Sequence, residues 1–297
     1  QKYIEDEFLA AIQLLPDSAP DWGRFDKGMA MGSLLRFYMN TKQYNKALNI
    51  SKQIIDLGKY SLDPIYTAVF AADNENNKEI IYPVVKSGTA QGQWLICVTL
   101  PRDFPRPSNQ GTCAAVVYGN DSFMDIFEPS DVRGNIGMVR SYTSNTGASI
   151  VGYGNNQSIL NKYGIDPNAA GAFSNNNDYA HIRYADVLMY RSEAINETTG
   201  PSQEAIDLLN QVRSRAGASL ISLSSYSSNS ALKVFIMDER RREVYWEGKL
   251  REDAVRNGVY ISIAQSNGRP ALEHHKLFPI PLAEMDANKE MVQNEGY

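Results

Sequence analysis

The sequence predicts a mainly α-helical fold: a tetratricopeptide-like α/α superhelix with long irregular loop insertions and a few short strands. Three observations predict it. Two segments, 23–60 and 178–217, each read as a pair of amphipathic helices joined by a short turn. They lie too far apart in sequence for a regular 34-residue array, so something large is inserted between them. That intervening stretch loses the helical period but keeps its aromatic residues. The chain therefore reads as one unit in five parts: helices and a first hairpin over 1–60, a loop-rich insertion over 61–178, a second hairpin over 179–217, a long helix over 230–257 and an irregular tail over 258–297.

Residues 1–15 form the first predicted helix, with Ile4, Phe8, Ala11, Ile12 and Leu15 on one side and Pro16 closing it. In the first hairpin Ala30, Leu34, Leu35 and Tyr38 line one helix, and Tyr44, Ala47, Leu48, Ile50, Ile54 and Ile55 line the next. The Tyr44-x-x-Ala47 step puts a small residue where two helices approach closely, as a tetratricopeptide-type hairpin requires. Within the insertion, the apolar runs predict short strands at 79–85 and 94–99. In the second hairpin Ile182, Ala185, Leu188, Ser192 and Ile195 fall on one face. Gly200 and Pro201 then mark a turn, and Ala205, Leu208, Leu209, Val212 and Ala216 repeat the period. A Ser-rich linker at 222–230 leads into the helix 230–257, anchored by Leu232, Phe235, Ile236, Tyr245 and Trp246.

Composition narrows the function. A formal charge of −5 and a pI near 5.4 argue against a nucleic-acid partner, because phosphate binding needs a basic surface. No apolar run approaches the roughly 20 residues of a membrane span. Cys97 and Cys113 make either one disulfide or two buried thiols, and the second reading is preferred because nothing else in the chain looks disulfide-stapled.

Glu243 and Glu247 stand one helical turn apart, a spacing that can share a metal or a proton, but no His accompanies them. With Arg240, Arg242 and Arg251 nearby, a solvated or hairpin-bridging ion-pair ladder is the simpler account, and truncating Glu247 is then expected to shift the melting temperature by a few degrees at most. Arg183, Asp186, Glu193, Arg213 and Arg215 read as half-buried ion pairs across the second hairpin. The adjacent His274 and His275 point to opposite sides of an extended segment and chelate poorly. No nucleotide-binding, nucleophile-elbow or zinc-protease motif occurs, and no catalytic residue, metal ligand or cofactor is assigned; glycoside hydrolysis needs only two carboxylates at a defined separation, so the case against catalysis rests mostly on family resemblance.

The insertion holds the candidate ligand platform. Tyr82, Trp94, Phe104, Tyr118, Tyr142 and Tyr153 are spread among Asn, Gln, Ser and Thr, a composition suited to sugar rings, whose C–H faces stack on aromatic planes while amides and Arg satisfy the hydroxyls. Any one aromatic in such a segment is more often a core anchor than a ligand contact. Trp94, between Gln-rich turns and a short apolar run, leads the candidates. Tyr82 and Tyr118 join it, with Arg102, Arg106, Asn109 and Gln110 as polar partners.

Ten motifs in order resemble the C-terminal half to two-thirds of a SusD/RagB-type outer-membrane glycan-binding lipoprotein. They are FLxAIxLLP at 8–16, GRxxKGxA at 23–30, QYNKAL at 43–48, DLGKYSL at 56–62, IRYADVL at 182–188, SEAINE at 192–197, LNQVRSRAG at 209–217, ERRREVYWEG at 239–248, FPIP at 278–281 and QNEGY at 293–297. Two positions depart from the family's pattern: Val132 stands between Asp131 and Arg133, and Leu250, Arg251 and Glu252 precede Asp253. The resemblance implies non-catalytic binding of oligosaccharide at the cell surface and delivery to a SusC-type TonB-dependent transporter. It also implies a signal peptide, a lipidated Cys and further hairpins before residue 1. The alternative is a tetratricopeptide-like scaffold for protein or peptide ligands, and the third class is a carbohydrate-cleaving enzyme.

Overall fold

The computed structural model describes residues 1–88, 92–107, 115–152, 154, 156–171 and 174–297. Helix α1 (Lys2–Leu14) ends where Leu15 turns extended ahead of Pro16. Helix α2 (Lys27–Asn40) begins at Asp26, whose carboxylate accepts the Met29 N–H at 2.9 Å. Lys42 takes a left-handed φ of 57° in the tight turn to α3 (Tyr44–Asp56). The insertion follows: a 3₁₀ turn at Tyr66–Phe70, then β1 (Ile80–Val84), α4 (Leu95–Thr99), α5 (Asp121–Met124), α6 (Val132–Asn135), β2 (Met138–Val139), β3 (Tyr142–Thr143), β4 (Ser149–Ile150), β5 (Ile159–Leu160) and β6 (Tyr179–Arg183). The chain then returns to helices with α7 (Tyr184–Thr199), α8 (Gln203–Arg215), α9 (Asn229–Val244), α10 (Leu250–Arg256), α11 (Tyr260–Ser266) and α12 (Leu282–Ala287).

The helical elements form the tetratricopeptide-like architecture expected from the sequence. Helix α3 packs against α2 on one side and α7 on another, so the two hairpins meet in space although the insertion separates them in sequence. Ala47, Ala185, Ala194 and Ala205 are fully buried at these approaches, and Leu34, Met39, Ile54, Leu188 and Leu209 fill the space between them. Strands β1 and β6 pair antiparallel and lay Ile81 and Ile182 onto this core. The insertion has a second core of its own, around Tyr66, Phe70, Ile80, Ile96, Leu100, Ile159 and Tyr163. Among the described residues the strands make only two-stranded ribbons: β1 with β6, β2 with β5, and β3 with β4.

Several expectations are corrected. Residues 95–99 are a short helix instead of a strand: the Val98 N–H reaches back to the Trp94 carbonyl and Thr99 Oγ1 to that of Leu95. A five-residue apolar run has no length to distinguish the two states. Ile182 belongs to β6, because β1 offers its segment a partner, and α7 starts only at Tyr184. The helix expected over 230–257 breaks after Val244: Tyr245 is extended, Trp246 has φ 61° and Gly248 φ 69°. The tail carries α11 and α12. Cys97 is disulfide-bonded, which overturns the thiol reading, and the sequence holds one other cysteine, Cys113.

The break in α9 serves a buried ionic network at the junction of the helices and the insertion. Arg183 spans three carboxylates, with Nη1 on Glu79 and on Glu243 (2.9 Å), and Nε and Nη2 on Glu247 (3.0 and 2.7 Å). Lys162 Nζ donates to Glu247 and to the Glu243 and Tyr245 carbonyls freed by the break, at 2.8 and 2.9 Å. Arg215 joins Glu79 to Glu243, Arg133 joins Asp131 to Glu239 and Glu243, and Lys249 joins Asp186 to Glu247. Further along, Arg240 pairs with Asp253, and Arg256 with Glu193 and Asp253. All of these side chains are buried, that of Arg215 included although its residue as a whole is only partly so. The solvated or hairpin-bridging ladder expected for Glu243 and Glu247 is thus an interior network, and its partners are Arg183, Arg215, Arg133, Lys162 and Lys249 in place of Arg240, Arg242 and Arg251. Low local dielectric makes each uncompensated charge costly, so near-complete pairing is what allows so many charges inside.

The network sets a pH dependence. Burial alone would push the Glu243 carboxyl up, but Arg215, Arg183 and Arg133 outweigh it and hold it at about 2. Burial is likewise overcome at Glu247, where Arg183, Lys162 and Lys249 keep the carboxyl well below its usual range. A carboxyl depressed in the folded state contributes stability above its unfolded pKa of about 4.5 and loses it as pH falls towards the folded value. The unfolding free energy from urea titration is therefore expected to be flat down to about pH 5 and to fall steeply between about pH 4.5 and 2, by on the order of 3 kcal/mol from Glu243 alone, with the midpoint falling in step. Equal midpoints at neutral pH and at about pH 3 would contradict the ionised network.

Candidate functional site

Trp94 is exposed at the start of a tightly bonded segment. It is the residue capping α4, and it remains 59% exposed. The preceding Gln93 is buried: its backbone N–H donates to the Asn175 carbonyl at 2.8 Å and its side-chain amide to the Asn177 carbonyl at 3.2 Å. Asn177 in turn donates to the Phe70 and Tyr163 carbonyls, both at 3.0 Å. After Trp94, Ile96 and Leu100 sink into the insertion core and Cys97 is bonded. An exposed indole on so constrained a mount loses little conformational entropy when a ligand stacks on it.

The neighbouring segment adds apolar surface. The Val98 carbonyl accepts the N–H groups of Val116 and Val117 at 2.9 and 3.1 Å, and Gly119 pairs with Ser158 through two backbone hydrogen bonds. Val116 and Tyr118 are 63% and 43% exposed on this tethered strip. Arg102 is exposed, whereas Arg106 is partly buried and donates to the Pro101 and Phe104 carbonyls, which fixes the turn. Phe104 and Tyr142 rings lie 5.0 Å apart, with the Tyr142 hydroxyl donating to Asp103 at 2.7 Å. Tyr82 is elsewhere, packed against the helical core between Phe25 (5.5 Å) and His181 (4.9 Å). Asn109, Gln110 and Tyr153 lie outside the described residues. The structure thus brings Trp94 and Tyr118 onto linked segments and does not bring Tyr82 to them.

A polar cavity missed by the sequence reading adjoins this mount. It measures about 330 Å³ and is lined by Glu75, Lys86, Ser87, Asp166, Asn168 and Asn176, among others. Asn176 lies between the two asparagines that hold Gln93; its amide donates to Asp166 at 2.7 Å and its carbonyl accepts the Gly88 N–H at 2.8 Å. Glu75 Oε1 accepts the Asp178 N–H at 3.0 Å, and Asp178 also takes the Trp22 indole N–H at 2.6 Å. Burial, reinforced by Asp178 and Asp166, pushes the Glu75 carboxyl up to about 7. Near neutrality it can therefore either donate or accept a hydrogen bond. These groups come from segments about 90 residues apart, joined only by tertiary contacts, and no local pattern announces them.

Glu243 and Glu247, the carboxylate pair that a reader of the sequence would test for catalysis, are fully enclosed by cations. No helix among the described residues is long and apolar enough to cross a membrane.

Comparison with known proteins gives one consistent answer. A family model described as SusD family matches residues 63–276. The chain is 26% identical over 329 residues to the SusD-like protein P25 of Formosa agariphila, covering 93% of this chain and 60% of that protein. It is 25% identical over 367 residues to the starch-binding protein SusD of Bacteroides thetaiotaomicron, covering 99% and 65%. The chain therefore spans under two-thirds of the length of these curated relatives. Among solved structures, a SusD homolog of B. thetaiotaomicron superposes with a TM-score of 0.84 at 22% identity, over 100% of this chain and 70% of that one. The surface glycan-binding protein A of the same organism, in complex with laminarihexaose, superposes with a TM-score of 0.80 at 22% identity, over 99% and 70%.

Proposed function

Because the chain belongs to the SusD family, we propose that it binds glycan at the cell surface without cleaving it and passes oligosaccharide to a SusC-type TonB-dependent outer-membrane transporter. The observation that carries the reading is Trp94, an exposed indole on a rigid mount, with Tyr118 on a tethered strip and a polar cavity adjoining. Indole and phenol faces take the apolar side of a pyranose. Asn168, Asn176, Glu75 and Arg102 supply donors and acceptors for its hydroxyls. Asn109 and Gln110 remain candidate partners on the same loop. Support also comes from the relative named as starch-binding and from the laminarihexaose complex of the similar fold. The surface location and a lipid anchor follow from the family reading, as does the transporter partner.

The test is a glycan array followed by calorimetric titration of the best ligand. A carbohydrate that binds saturably supports the proposal. If no carbohydrate binds at millimolar concentration while a peptide binds tightly, the scaffold reading replaces it. Reducing-end release at catalytic protein levels would make the protein an enzyme instead.

A further inference from the structure

A cavity of about 380 Å³ lies between α5, α9, α10 and α11, walled by Phe123, Met237, Leu250 and Ile263. Its size is within the roughly 300–1,000 Å³ typical of small-molecule sites. Three arginines line it, and they differ in what they have left to offer. The charge of Arg240 is already answered: its Nε is 2.8 Å from Asp253, its Nη2 3.6 Å from Asp186, and its guanidinium lies 4.0 Å from the centre of the Tyr190 ring, although Nη1 and Nη2 make no hydrogen bond among the described residues. Arg241 pairs with Asp238 at 3.0 Å. Arg251 makes no salt bridge among the described residues. Its Nη2 donates to the Lys276 and His275 carbonyls at 2.9 and 3.3 Å, and its guanidinium sits 4.3 Å from the Phe278 ring centre and 5.0 Å from that of Tyr260. Nε and Nη1 donate to no acceptor among the described residues.

A guanidinium held between two rings, with N–H groups of Nε and Nη1 unused and no carboxylate beside it among the described residues, is prepared to meet an anionic oxygen through a single charge-assisted N–H···O bond. Beside it are walls that reward apolar volume. A neutral sugar would leave those walls without complementary surface, and a plain hydrocarbon would leave the cation unpaired. From this juxtaposition we propose that the α9–α11 cavity is a binding site for a small amphiphilic carboxylate, an aryl or alkyl acid whose chain enters the cavity and whose carboxylate meets Arg251. The site is independent of the glycan reading and would stand if that reading failed.

The experiment is calorimetric titration of the full chain with phenylbutyrate and, in parallel, with the neutral phenylbutyramide. Saturable one-to-one binding of the acid is expected, with the amide weaker by about tenfold or more, the scale of a charge-assisted hydrogen bond. Ile263→Trp, which fills the cavity, should remove binding of both probes. Arg251→Gln should bring the acid down to the affinity of the amide, which keeps the test decisive even if the tryptophan variant does not fold. The proposal is overturned if the acid does not bind, if acid and amide bind equally to the wild-type chain, or if either folded variant binds the acid as the wild type does.

Discussion

Arg183→Ala is expected to destabilise the protein by about 3–5 kcal/mol and to lower its melting temperature by about 10 °C. Arg183 is fully buried and is the only cation that touches Glu79, Glu243 and Glu247 together among the described residues. Removing it leaves those carboxylates to Arg215, Arg133, Lys162 and Lys249, and the interior loses a positive charge while keeping every carboxylate. The cost is that of an uncompensated buried charge, larger than that of a lost hydrogen bond. The matched control is Lys52→Ala, which breaks an ion pair whose partners, Lys52 and Asp56, are each more than half exposed. It should change stability by no more than about 0.5 kcal/mol. Should the two variants melt within about 2 °C of each other, the network would be contributing no more than a surface pair. Glu247→Ala belongs with Arg183→Ala, because it leaves Lys162 without a carboxylate partner and takes one from Arg183 and one from Lys249, so the few-degree shift expected for a rung of the ladder no longer applies.

What the sequence made legible was the local part of this structure. Leu34, Ala47, Ile54, Leu188 and Leu209 repeat at helical spacing, and all are buried, because an amphipathic helix states in its own period which face it will hide. The family pattern was legible for the same reason, being a series of short local motifs. The network's topology was not: Glu79 lies 104 residues from Arg183, and Glu247 lies 64 from it. Charge type could be read, but pairing across such distances is fixed only by the tertiary fold. The break in α9 did leave a signal in Tyr245-Trp246-Glu247-Gly248, where a glycine follows the last periodic residues and takes a positive φ. At the site, Trp94 could be singled out from its neighbours. The asparagines that hold its mount, and Asp166 and Asn176 of the cavity, arrive from the far end of the insertion, to meet Glu75 from its start.

Trp94→Ala is expected to weaken glycan binding by about 1–3 kcal/mol, roughly tenfold to a hundredfold, while the protein keeps its melting temperature. Binding and folding separate here because of how the residue is mounted. The mount is made by groups the substitution leaves in place: Gln93 on Asn175 and Asn177, the Trp94 carbonyl accepting the Val98 N–H, and Ile96 and Leu100 in the insertion core. What it removes is the indole, more than half of whose surface faces solvent. Shallow sugar sites have little affinity in reserve, so the loss of one stacking plane should carry a weak ligand below calorimetric detection. Tyr118→Ala, on the strip tethered to Val98, should cost less, since its ring is smaller and more covered. A Trp94→Ala protein that melts normally and binds the array-selected glycan with wild-type affinity would move the platform off α4. One that loses binding only because it unfolds would make Trp94 a core anchor, against the exposure observed for it.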